Sequence, residues 1–479
     1  MPLLEPVALV PAADLGPVHF IAIGGSGMNG VASMFLELGL PVSGSDRQES
    51  AYLASLRSRG ARVHVGHRAE QLGDARTVVA SSAIREDNPE LAEARRRGLR
   101  VLHRSAALAS LMLLRRGVAV AGTHGKTTTT AMIASTLVGC GLDPSYVIGG
   151  SFTGSRSGGH LGGGDVLVVE ADESDGSFLQ YPAEVAVVTN VDPDHLSNWG
   201  SAEAYAAGFE RFAGAEDVRL LVISADDPGA VALTAAVRRR PEPPEVVTFG
   251  EAADADVRIV GASYAGTGSS FRLSHGDRGG PLTLAVPGSY NVSNAAAAYA
   301  VATWLGAPER EVREQLSAFG GTNRRFQLIG TVDGTRVYDD YAHHPTEVAH
   351  TLRAARTAVA DGGRVVAVFQ PHLYTRTRDF WPQLAQALEL ADEAVVMDVC
   401  GDREDPIAGI SGAMVAEAVA PGTAHITYEP DWDRAAPVVA SIARPDDLVV
   451  TLGCGDVTKV APLIVAELER RSAQPEDQA

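Results

Sequence analysis

One stretch constrains the fold of this chain more than any other: Val118 to Thr130, which reads VAVAGTHGKTTTT. Its valines alternate with alanines, as in a short buried strand, and the chain then turns through Gly122 and Gly125. Lys126 precedes a predicted helix, Thr127 to Val138. A strand, a glycine-rich turn and a helix in this order offer backbone N–H groups, a lysine and a hydroxyl to phosphates and Mg²⁺. The stretch therefore predicts a nucleoside triphosphate site.

The loop departs from the general phosphate-loop pattern G-x-x-x-x-G-K-[ST], because Val120 stands where that pattern has its first glycine. It has the shorter form G-T-x-G-K-T instead. A threonine-rich helix start can also serve only as a cap, but GKT directly after an apolar strand favours phosphate binding.

Composition limits the classes of protein to be considered. The length of 479 residues predicts about three domains. The excess of 59 acidic over 40 basic residues gives a formal net charge of −19, which argues against general nucleic-acid binding. Three cysteines far apart in the chain predict neither a disulfide framework nor a zinc site. With no apolar run long enough to span a membrane and no basic signal-peptide start, we expect a cytoplasmic protein without a membrane partner.

The first α/β segment begins with Val18 to Leu38, an apolar strand followed by closely spaced glycines and an apolar-faced helix. This pattern is typical of a Rossmann half, whose glycine turn holds a diphosphate on a helix N-terminus. The next strand ends on Ser45 and Asp46, where an NAD-binding domain keeps its ribose-binding acid, so an NAD-dependent dehydrogenase is one alternative. Glycines that only tighten the turn are another. A further strand, Thr77 to Ser82, points its polar end at the same predicted crevice.

The middle segment follows the phosphate loop with strands that end in polar residues. The strand Val166–Glu170 ends on a carboxylate where Mg²⁺ would be held, although the acidic EADESD run can also be a solvated loop. A later strand leads to His195, which is either structural or a contact of a second Mg²⁺ or the γ-phosphate. From Glu245 to Pro287 short alternating strands predict an antiparallel or mixed edge. An alanine-rich helix then carries Asn291 and Asn294, which can cap the helix or present amides to a purine.

The last segment again alternates strands and helices, and its strands end in polar or glycine-rich loops. Because the carboxyl ends of parallel strands share one sheet edge, these loops predict a substrate site. Just before them, Gly320 to Phe326 carries paired arginines suited to a transferring phosphate. The chemically active residues in the loops are Asp339, Asp340, Tyr341, His343, His344, His372, Arg376 and Arg378.

Nine motifs, in order from about residue 18 to residue 460, resemble the Mur ligase family, the enzymes that build the peptidoglycan stem peptide. They are IGGSGMNG, GTHGKTTTT, EADESD, TNVDPDH, GSYNVSNAAAA, GTNRRF, DDYAHHPTEV, FQPHLYTRT and GCGD. The resemblance implies an α/β fold of three domains: a Rossmann-like N-terminal domain at 1–115, a central P-loop ATPase-like domain with a mixed sheet at 116–321, and a C-terminal Rossmann-like domain at 322–479. The N-terminal domain would bind a UDP-sugar, and the central domain would bind ATP. The C-terminal domain would bind the amino acid and close over ATP.

The resemblance also implies a contact set for each ligand. The UDP part of the substrate would contact Gly24, Gly25, Gly27, Ser45, Asp46, Ser81 and Ser82. ATP would contact Gly122, Thr123, His124, Gly125, Lys126, Thr127, Thr128, Asn291, Asn294, Arg325 and Asp339, and Mg²⁺ would contact Thr127, Glu170 and His195. The amino-acid end would use Tyr341, His372 and Arg376, and the implied catalytic set is Lys126, Glu170, His195, Arg325, His344 and Arg376.

Within the family, the motifs are most similar to the alanine-adding branch. That similarity implies an ATP- and Mg²⁺-dependent ligase, monomeric or homodimeric, that joins L-alanine to the lactyl carboxylate of UDP-N-acetylmuramate through an acyl phosphate. A recycling ligase that adds a tripeptide to the same nucleotide sugar is the nearest alternative. Leu373 stands where many of these ligases have arginine, and Cys454 stands where alanine is usual. The stretch after His195 has no lysine, as expected for this branch.

Overall fold

The computed structural model of the chain describes residues 3–152, 158–402 and 404–473. Its backbone contacts divide the chain into two compact units. The first unit consists of Met1–Val260, Arg272–Leu282 and Ser293–Phe319, and the second consists of Gly261–Phe271, Thr283–Val292 and Gly320–Ala479. Within the described ranges, no helix is both long and apolar enough to cross a membrane.

The first unit begins with a five-stranded sheet in which every pairing is parallel. Its strands are β1 (Val18–Ile21), β2 (Val42–Asp46), β3 (Arg62–Val65), β4 (Thr77–Ala80) and β5 (Arg100–His103), and its helices are α1 (Ser26–Glu37), α2 (Ala51–Ser58), α3 (Pro89–Arg96) and α4 (Arg104–Met112). The strand order β3-β2-β1-β4-β5 reverses direction at β1. The glycine turn that follows β1 therefore opens at the point where α/β sheets bind ligands.

A ten-stranded sheet carries the phosphate loop. Its strands are β6 (Arg116–Ala121), β7 (Ser145–Val147), β8 (Gly159–His160), β9 (Val166–Glu170), β10 (Val185–Val188), β11 (Leu220–Ser224), β12 (Glu245–Gly250), β13 (Val257–Ala265), β14 (Gly268–His275) and β15 (Arg278–Leu284). The helices are α5 (Lys126–Gly139), α6 (Leu196–Trp199), α7 (Ala202–Ala213), α8 (Pro228–Arg238), α9 (Ser289–Trp304) and α10 (Glu309–Ser317).

This sheet has the order β15-β14-β13-β12-β11-β10-β6-β9-β7-β8. β6 pairs in parallel with β10 on one side and β9 on the other, whereas β7 and β8 pair antiparallel. Because β6, β9 and β10 run in the same direction, the loops that follow these three strands leave from one edge of the sheet.

The second unit contains a six-stranded sheet of order β16-β17-β21-β18-β19-β20, in which only β16 and β17 pair antiparallel. The strands are β16 (Gln327–Val332), β17 (Thr335–Asp340), β18 (Val365–Phe369), β19 (Glu393–Val396), β20 (His425–Tyr428) and β21 (Leu448–Leu452). The helices are α11 (Pro345–Ala358), α12 (Tyr374–Leu388), α13 (Gly412–Ala418), α14 (Trp432–Ile442) and α15 (Val460–Ser472). The carboxyl ends of β17, β21 and β18 are thus neighbours.

Both units are built around strands that are buried on both faces. In the second unit, alternate residues of β18 belong to separate apolar clusters: Ala367 and Phe369 to one, Val366 and Val368 to the other. Helices covering each face of a parallel sheet produce this pattern and the valine-rich strand sequences. The predicted α/β class with a mixed central sheet is confirmed, and the six-stranded sheet is mixed as well because β16 and β17 pair antiparallel. The domain boundaries near residues 115 and 321 stay predictions.

Candidate active site

Two left-handed backbone positions shape the turn after β6. Gly122 has a φ of +134° and Gly125 has a φ of +83°. A Cβ on Gly122 would collide with the side chain of Thr189, and a Cβ on Gly125 would lie 2.9 Å from Oδ1 of Asn294. Only glycine meets both conditions without strain. α5 begins directly after Gly125, so its first N–H groups face the turn, as in an anion site.

The side chain of Lys126 is folded onto its own loop. Its Nζ donates to the carbonyl oxygens of Gly122 at 2.7 Å and Thr123 at 3.1 Å, and it lies 2.8 Å from Oε2 of Glu173. Burial lowers the pKa of Lys126, but the carboxylates of Glu173 and Asp172 more than offset this and raise its pKa above the ordinary value. The ammonium therefore stays charged beside the phosphate turn.

Two oxygen groups suited to Mg²⁺ meet at the start of α5. Thr127 Oγ1 donates to Oε1 of Glu170 at 2.9 Å. The other carboxylate oxygen of Glu170 accepts the N–H of Gly149 at 2.8 Å, which fixes the carboxylate plane. A hydroxyl and a carboxylate at this separation form the hard oxygen donor set that Mg²⁺ prefers. The side chains of Thr127 and Glu170 therefore fit the predicted cation.

The loop after β10 holds the phosphate loop in place. Thr189 Oγ1 donates to the carbonyl of His124 at 2.6 Å, and Asn190 Oδ1 accepts the N–H of His124 at 2.9 Å. Thr123 Oγ1 donates to the carbonyl of Asp192 at 2.7 Å. Thr189, Asn190 and Asp192 are not among the residues that the sequence motifs predict for the site. The signal for them is that TNVD directly follows a strand of the phosphate-loop sheet.

His195 ends this loop and precedes α6. Its φ of +52° is unusual for a residue other than glycine, and such backbone outliers cluster at functional sites. Its backbone N–H donates to Oδ1 of Asp194 at 2.7 Å, and its Nε2 lies 3.4 Å from Oδ2 of the same residue. The imidazole is 22% exposed, so it is partly accessible at the edge where the phosphate loop also lies.

The acidic loop after β9 contains a deeply buried carboxylate, that of Glu173, which is not among the predicted site residues. Glu173 is 1% exposed. Burial raises its pKa to about 7, even though Lys126 acts in the opposite direction. Nearby, Asp175 accepts a hydrogen bond from Ser82 Oγ at 2.6 Å, which connects this loop to the end of β4. The sequence EADESD has four acids within six residues, and nothing in it distinguishes Glu173 from the other three.

Asp46 fixes the glycine turn after β1, because its Oδ2 accepts the N–H of Gly24 at 2.9 Å. Gly25 is the N-cap of α1. A Cβ on Gly27 would collide with the guanidinium of Arg104, so this arginine lies against the first turn of α1. Arg104 is not among the predicted contacts of this crevice. Its sequence signal is its position directly after the polar end of β5.

Ser45 lies beneath this turn and is fully buried. Its Oγ donates to Oε2 of Glu90 at 2.5 Å and lies 2.8 Å from Nδ1 of His67. Burial raises the pKa of Glu90, but hydrogen bonds from His19 and Ser45 outweigh it, and the net pKa is lowered. The hydroxyl of Ser45 thus belongs to an interior polar network. Ser81 follows β4 at the same sheet edge as the turn.

The two asparagines on the first turns of α9 are both 5% exposed. Asn291 Nδ2 donates to the carbonyl of Pro287 at 2.7 Å, which ties the start of the helix to the preceding turn. Asn294 points Oδ1 towards Gly125. Asn294 therefore lies beside the phosphate loop, while Asn291 makes a local capping bond.

In the second unit, Asp339 is buried at the end of β17 with several donors around it. Thr451 Oγ1 donates to its Oδ1 at 2.7 Å, and Thr458 Oγ1 donates to its Oδ2 at 2.8 Å. Arg324 Nε lies 3.3 Å from Oδ2. Arg324, rather than its neighbour Arg325, is therefore the ion-pair partner of Asp339.

The carboxyl ends of β17 and β18 carry a cluster of aromatic, histidine and arginine side chains. The guanidinium of Arg325 lies 4.9 Å from the ring centroid of Tyr341. His343 Nδ1 is 3.0 Å from the carbonyl oxygen of Tyr341, and the rings of His343 and His372 are 6.2 Å apart. Burial, followed by the charge of Arg376, lowers the pKa of His343 to about 3. The guanidinium of Arg376, near the neutral imidazole of His343, is suited to receive a carboxylate.

Three further residues of this unit occupy the same edge. His344 is the N-cap residue of α11 and packs edge-on against Phe380, with ring centroids 5.1 Å apart. Leu373 precedes α12 with a φ of +67° and is buried. Burial raises the pKa of Cys454 to about 12, so its thiol stays protonated at neutral pH.

Family models match three parts of the chain. Residues 17–116 match the Mur ligase family catalytic domain, residues 120–302 match the Mur ligase middle domain, and residues 324–455 match the Mur ligase glutamate ligase domain. The resemblance seen in the sequence motifs is thereby confirmed.

Curated relatives match over almost the whole length. UDP-N-acetylmuramate–L-alanine ligases of Cutibacterium acnes and Kineococcus radiotolerans are each 52% identical, covering 98% and 96% of this chain and 100% and 98% of those proteins. Among solved structures, UDP-N-acetylmuramate-alanine ligase from Thermotoga maritima matches with a TM-score of 0.80 and 29% identity, covering 96% of this chain and 100% of that chain. A murein peptide ligase from Psychrobacter arcticus has the same fold, with a TM-score of 0.71 at 24% identity over 95% of this chain and 98% of its own. Because family models match most of the chain and relatives at about half identity span nearly all of it, the chain belongs to the Mur ligase family.

Proposed function

We propose that this chain is an ATP-dependent ligase that joins L-alanine to the lactyl carboxylate of UDP-N-acetylmuramate in peptidoglycan precursor synthesis. Its curated relatives carry the name of this activity. The structural observation that carries the proposal is the contact of Thr127 with Glu170, because it puts an Mg²⁺ donor pair at the first turn of a phosphate-binding helix. The NAD-dependent dehydrogenase alternative leaves that arrangement without a purpose.

In this proposal ATP lies along the loop between β6 and α5. The N–H groups of the turn and of the first turn of α5 bind phosphate oxygens, and Lys126 reaches the outer phosphates. Thr127, Glu170 and His195 would hold Mg²⁺, and a bound Mg²⁺ would supply charge neutralisation to the transferring phosphoryl group. The further ATP contacts are Gly122, Thr123, His124, Gly125, Thr128, Asn291, Asn294, Arg325 and Asp339.

The other two substrates approach from separate sheet edges. The crevice beside β1 takes the UDP part, with Arg104 added to the predicted set because its guanidinium lies against the first turn of α1. L-alanine is held through its carboxylate by Arg376, whose planar guanidinium can grip both oxygens. The proposed substrate contacts are Gly24, Gly25, Gly27, Asp46, Ser81 and Ser82 for UDP, and Tyr341, His372 and Arg376 for alanine, with His344 in the catalytic set. Ser45, predicted as a UDP contact, is fully buried and supports the crevice from within the domain.

The proposed reaction has two bond-forming steps. A lactyl carboxylate oxygen first attacks the γ-phosphorus of ATP, and ADP leaves, which gives an acyl phosphate. The alanine amine then attacks the acyl carbon, and the tetrahedral intermediate expels phosphate, leaves an amide and loses the amine proton. The contribution of the protein is positioning and charge stabilisation, with Lys126 placed to stabilise charge on the transferring phosphoryl group.

We also propose the organisation that the sequence motifs predict. Residues 1–115 would bind the nucleotide sugar, residues 116–321 would bind ATP, and residues 322–479 would bind the amino acid and close over ATP. The chain would act in the cytoplasm as a monomer or homodimer, where reducing conditions suit three unpaired cysteines.

Phosphate release measured with ATP, Mg²⁺ and UDP-N-acetylmuramate, together with the mass of the product, tests this proposal. L-alanine is expected to support turnover, and the stem tripeptide is not. Lys126→Ala and Glu170→Gln should each lower kcat/KM by about 10²-fold or more. Glu184→Gln is the matched control, because Glu184 pairs with Arg116 at 2.8 Å at the opposite end of β6. Normal turnover in Lys126→Ala, or a tripeptide product without an alanine product, would refute the proposal.

A further inference from the structure

Three oxygen atoms of the protein lie within 3.1 Å of the Lys126 ammonium nitrogen. Two carbonyl oxygens of the phosphate loop, those of Gly122 and Thr123, accept hydrogen bonds at 2.7 and 3.1 Å. The third oxygen is Oε2 of Glu173, which forms an ion pair with Nζ at 2.8 Å. An ammonium has three donors and no more, so a phosphate oxygen that binds Nζ competes with these three oxygens.

Glu173 is buried in a loop whose backbone is anchored by side chains of a neighbouring helix. Its side chain is 1% exposed, and its backbone carbonyl accepts a hydrogen bond from Trp199 Nε1 at 3.0 Å. The next residue is fixed as well, because Asn198 Nδ2 donates to the carbonyl of Ser174 at 2.9 Å. Two side chains of α6 thus anchor the acidic loop on both sides of its peptide bond.

We propose that Glu173 is a positioning residue that acts through Lys126: it competes with the nucleotide phosphates for the ammonium and holds the lysine in the folded-back position until ATP displaces it. This inference rests on the proposed ATP site and adds a residue to it. Loss of the lysine would leave a buried anion unpaired, which is costly. Burial raises the pKa of Glu173 to about 7, so its carboxyl can take up a proton from water when the lysine leaves.

The competition has a measurable consequence for nucleotide affinity. When the binding-competent state is only a fraction of the population, the apparent Kd is larger than the intrinsic Kd by the inverse of that fraction. Replacing Glu173 by glutamine keeps the shape of the side chain and removes its charge. Glu173→Gln should therefore bind ATP about fivefold or more tightly than wild type. A residue that only supports the fold would give the opposite sign.

Calorimetric titration of the full chain with ATP and Mg²⁺, without nucleotide sugar or amino acid, measures this affinity in the absence of turnover. Glu184→Gln is the matched control, since it also removes one negative charge from a pair in the same sheet. The decisive comparison is a double-mutant cycle with Lys126→Met. If Glu173 acts through the lysine, Glu173→Gln tightens binding in the wild-type background and has no effect in the Lys126→Met background.

Each outcome bears on the inference in a definite way. Weaker or unchanged binding in Glu173→Gln overturns it, and so does tighter binding that persists in Lys126→Met, because that result would mean simple repulsion between Glu173 and the phosphates. A crystal structure of the wild-type chain with ADP and Mg²⁺ gives an independent readout, and Lys126 still paired with Glu173 there overturns it too. If wild-type chain binds no ATP at all, the proposed function fails first.

Discussion

Acidification should destabilise the second unit through one histidine. His343 is mostly buried, and burial followed by the charge of Arg376 lowers its pKa to about 3. Its Nδ1 lies 3.0 Å from the carbonyl oxygen of Tyr341, so the neutral ring donates there. The test lowers the pH from about 7.5 to about 5 and compares the resulting loss of unfolding free energy in wild type and in His343→Asn. Asparagine offers an N–H in place of Nδ1 but does not titrate.

The sign and size follow from proton linkage. The unfolded chain binds a proton on this histidine below its ordinary pKa of about 6.5, whereas the folded chain does not bind it until about pH 3. The stabilising effect of the neutral ring is thus complete above pH 6.5 and is lost as the pH falls from there. At about pH 5 the solution is about 1.5 pH units below the pKa of the histidine in the unfolded chain. At about 1.36 kcal/mol per unit, protonation of the unfolded chain lowers the unfolding free energy by about 2 kcal/mol.

Another buried group in the unit responds in the opposite direction, which is why the variant comparison is needed. Burial raises the pKa of Asp340 to about 6, so its carboxyl stabilises the fold at low pH and that contribution is lost as the pH rises through 6. Because Asp340 is present in both proteins, its effect cancels in the difference. The remaining difference isolates His343.

Urea unfolding at the two pH values, followed by tryptophan fluorescence, measures the effect. Wild type should lose about 2 kcal/mol more unfolding free energy than His343→Asn when the pH drops from about 7.5 to about 5. Because only the pH-dependent change in unfolding free energy is compared between the two proteins, any cost of the substitution that is the same at both pH values cancels. Equal losses in the two proteins would show that the histidine is not held neutral in the fold, and the reasoning from burial would be refuted.

Two further substitutions test particular contacts. Gly125→Ala should weaken ATP binding about tenfold or more in calorimetry, because it combines a left-handed backbone with a Cβ only 2.9 Å from Oδ1 of Asn294. Gly141→Ala is the control and should leave affinity unchanged, because Gly141 also has a positive φ, +77°, but no atom lies within 4 Å of its Cβ. Thr451→Val should lower the unfolding free energy by about 1–3 kcal/mol in urea, because it removes a buried hydrogen bond to the Asp339 carboxylate; an unchanged urea midpoint would contradict that assignment.

The sequence predicts best the features that are local in the chain. The strand, turn and helix around Lys126 occupy thirteen consecutive residues, and each feature of the loop follows from residue type: glycine where φ is positive, threonine where a hydroxyl meets Glu170. Strand ends are also readable, because parallel order puts their loops on one edge. The contact between Thr127 and Glu170 follows from this rule, although 43 residues separate the two.

Contacts that depend on side-chain direction could not be predicted in this way. Arg324 and Arg325 are adjacent in the sequence and both lie over the ring of Tyr341, yet it is Arg324 that also lies 3.3 Å from Asp339. Ser45 ends a strand at the predicted crevice, but its hydroxyl is held within the domain by Glu90, a residue of a distant helix. Neither outcome is encoded by spacing, because both are decided by which neighbouring element packs nearest.

The two glycine turns of the first unit differ in the charge around them, and this difference indicates what each can bind. Beside the first turn lies the guanidinium of Arg104, and the carboxylate at this turn, that of Asp46, accepts the N–H of Gly24. The second turn has Lys126 but also the carboxylates of Glu170 and Glu173. Carboxylates repel a polyphosphate unless a cation lies between them, so acidic side chains at this turn are favourable only if the nucleotide brings a divalent metal. The acidic side chains at the second turn are thus compatible with the proposed nucleotide only when it binds together with Mg²⁺.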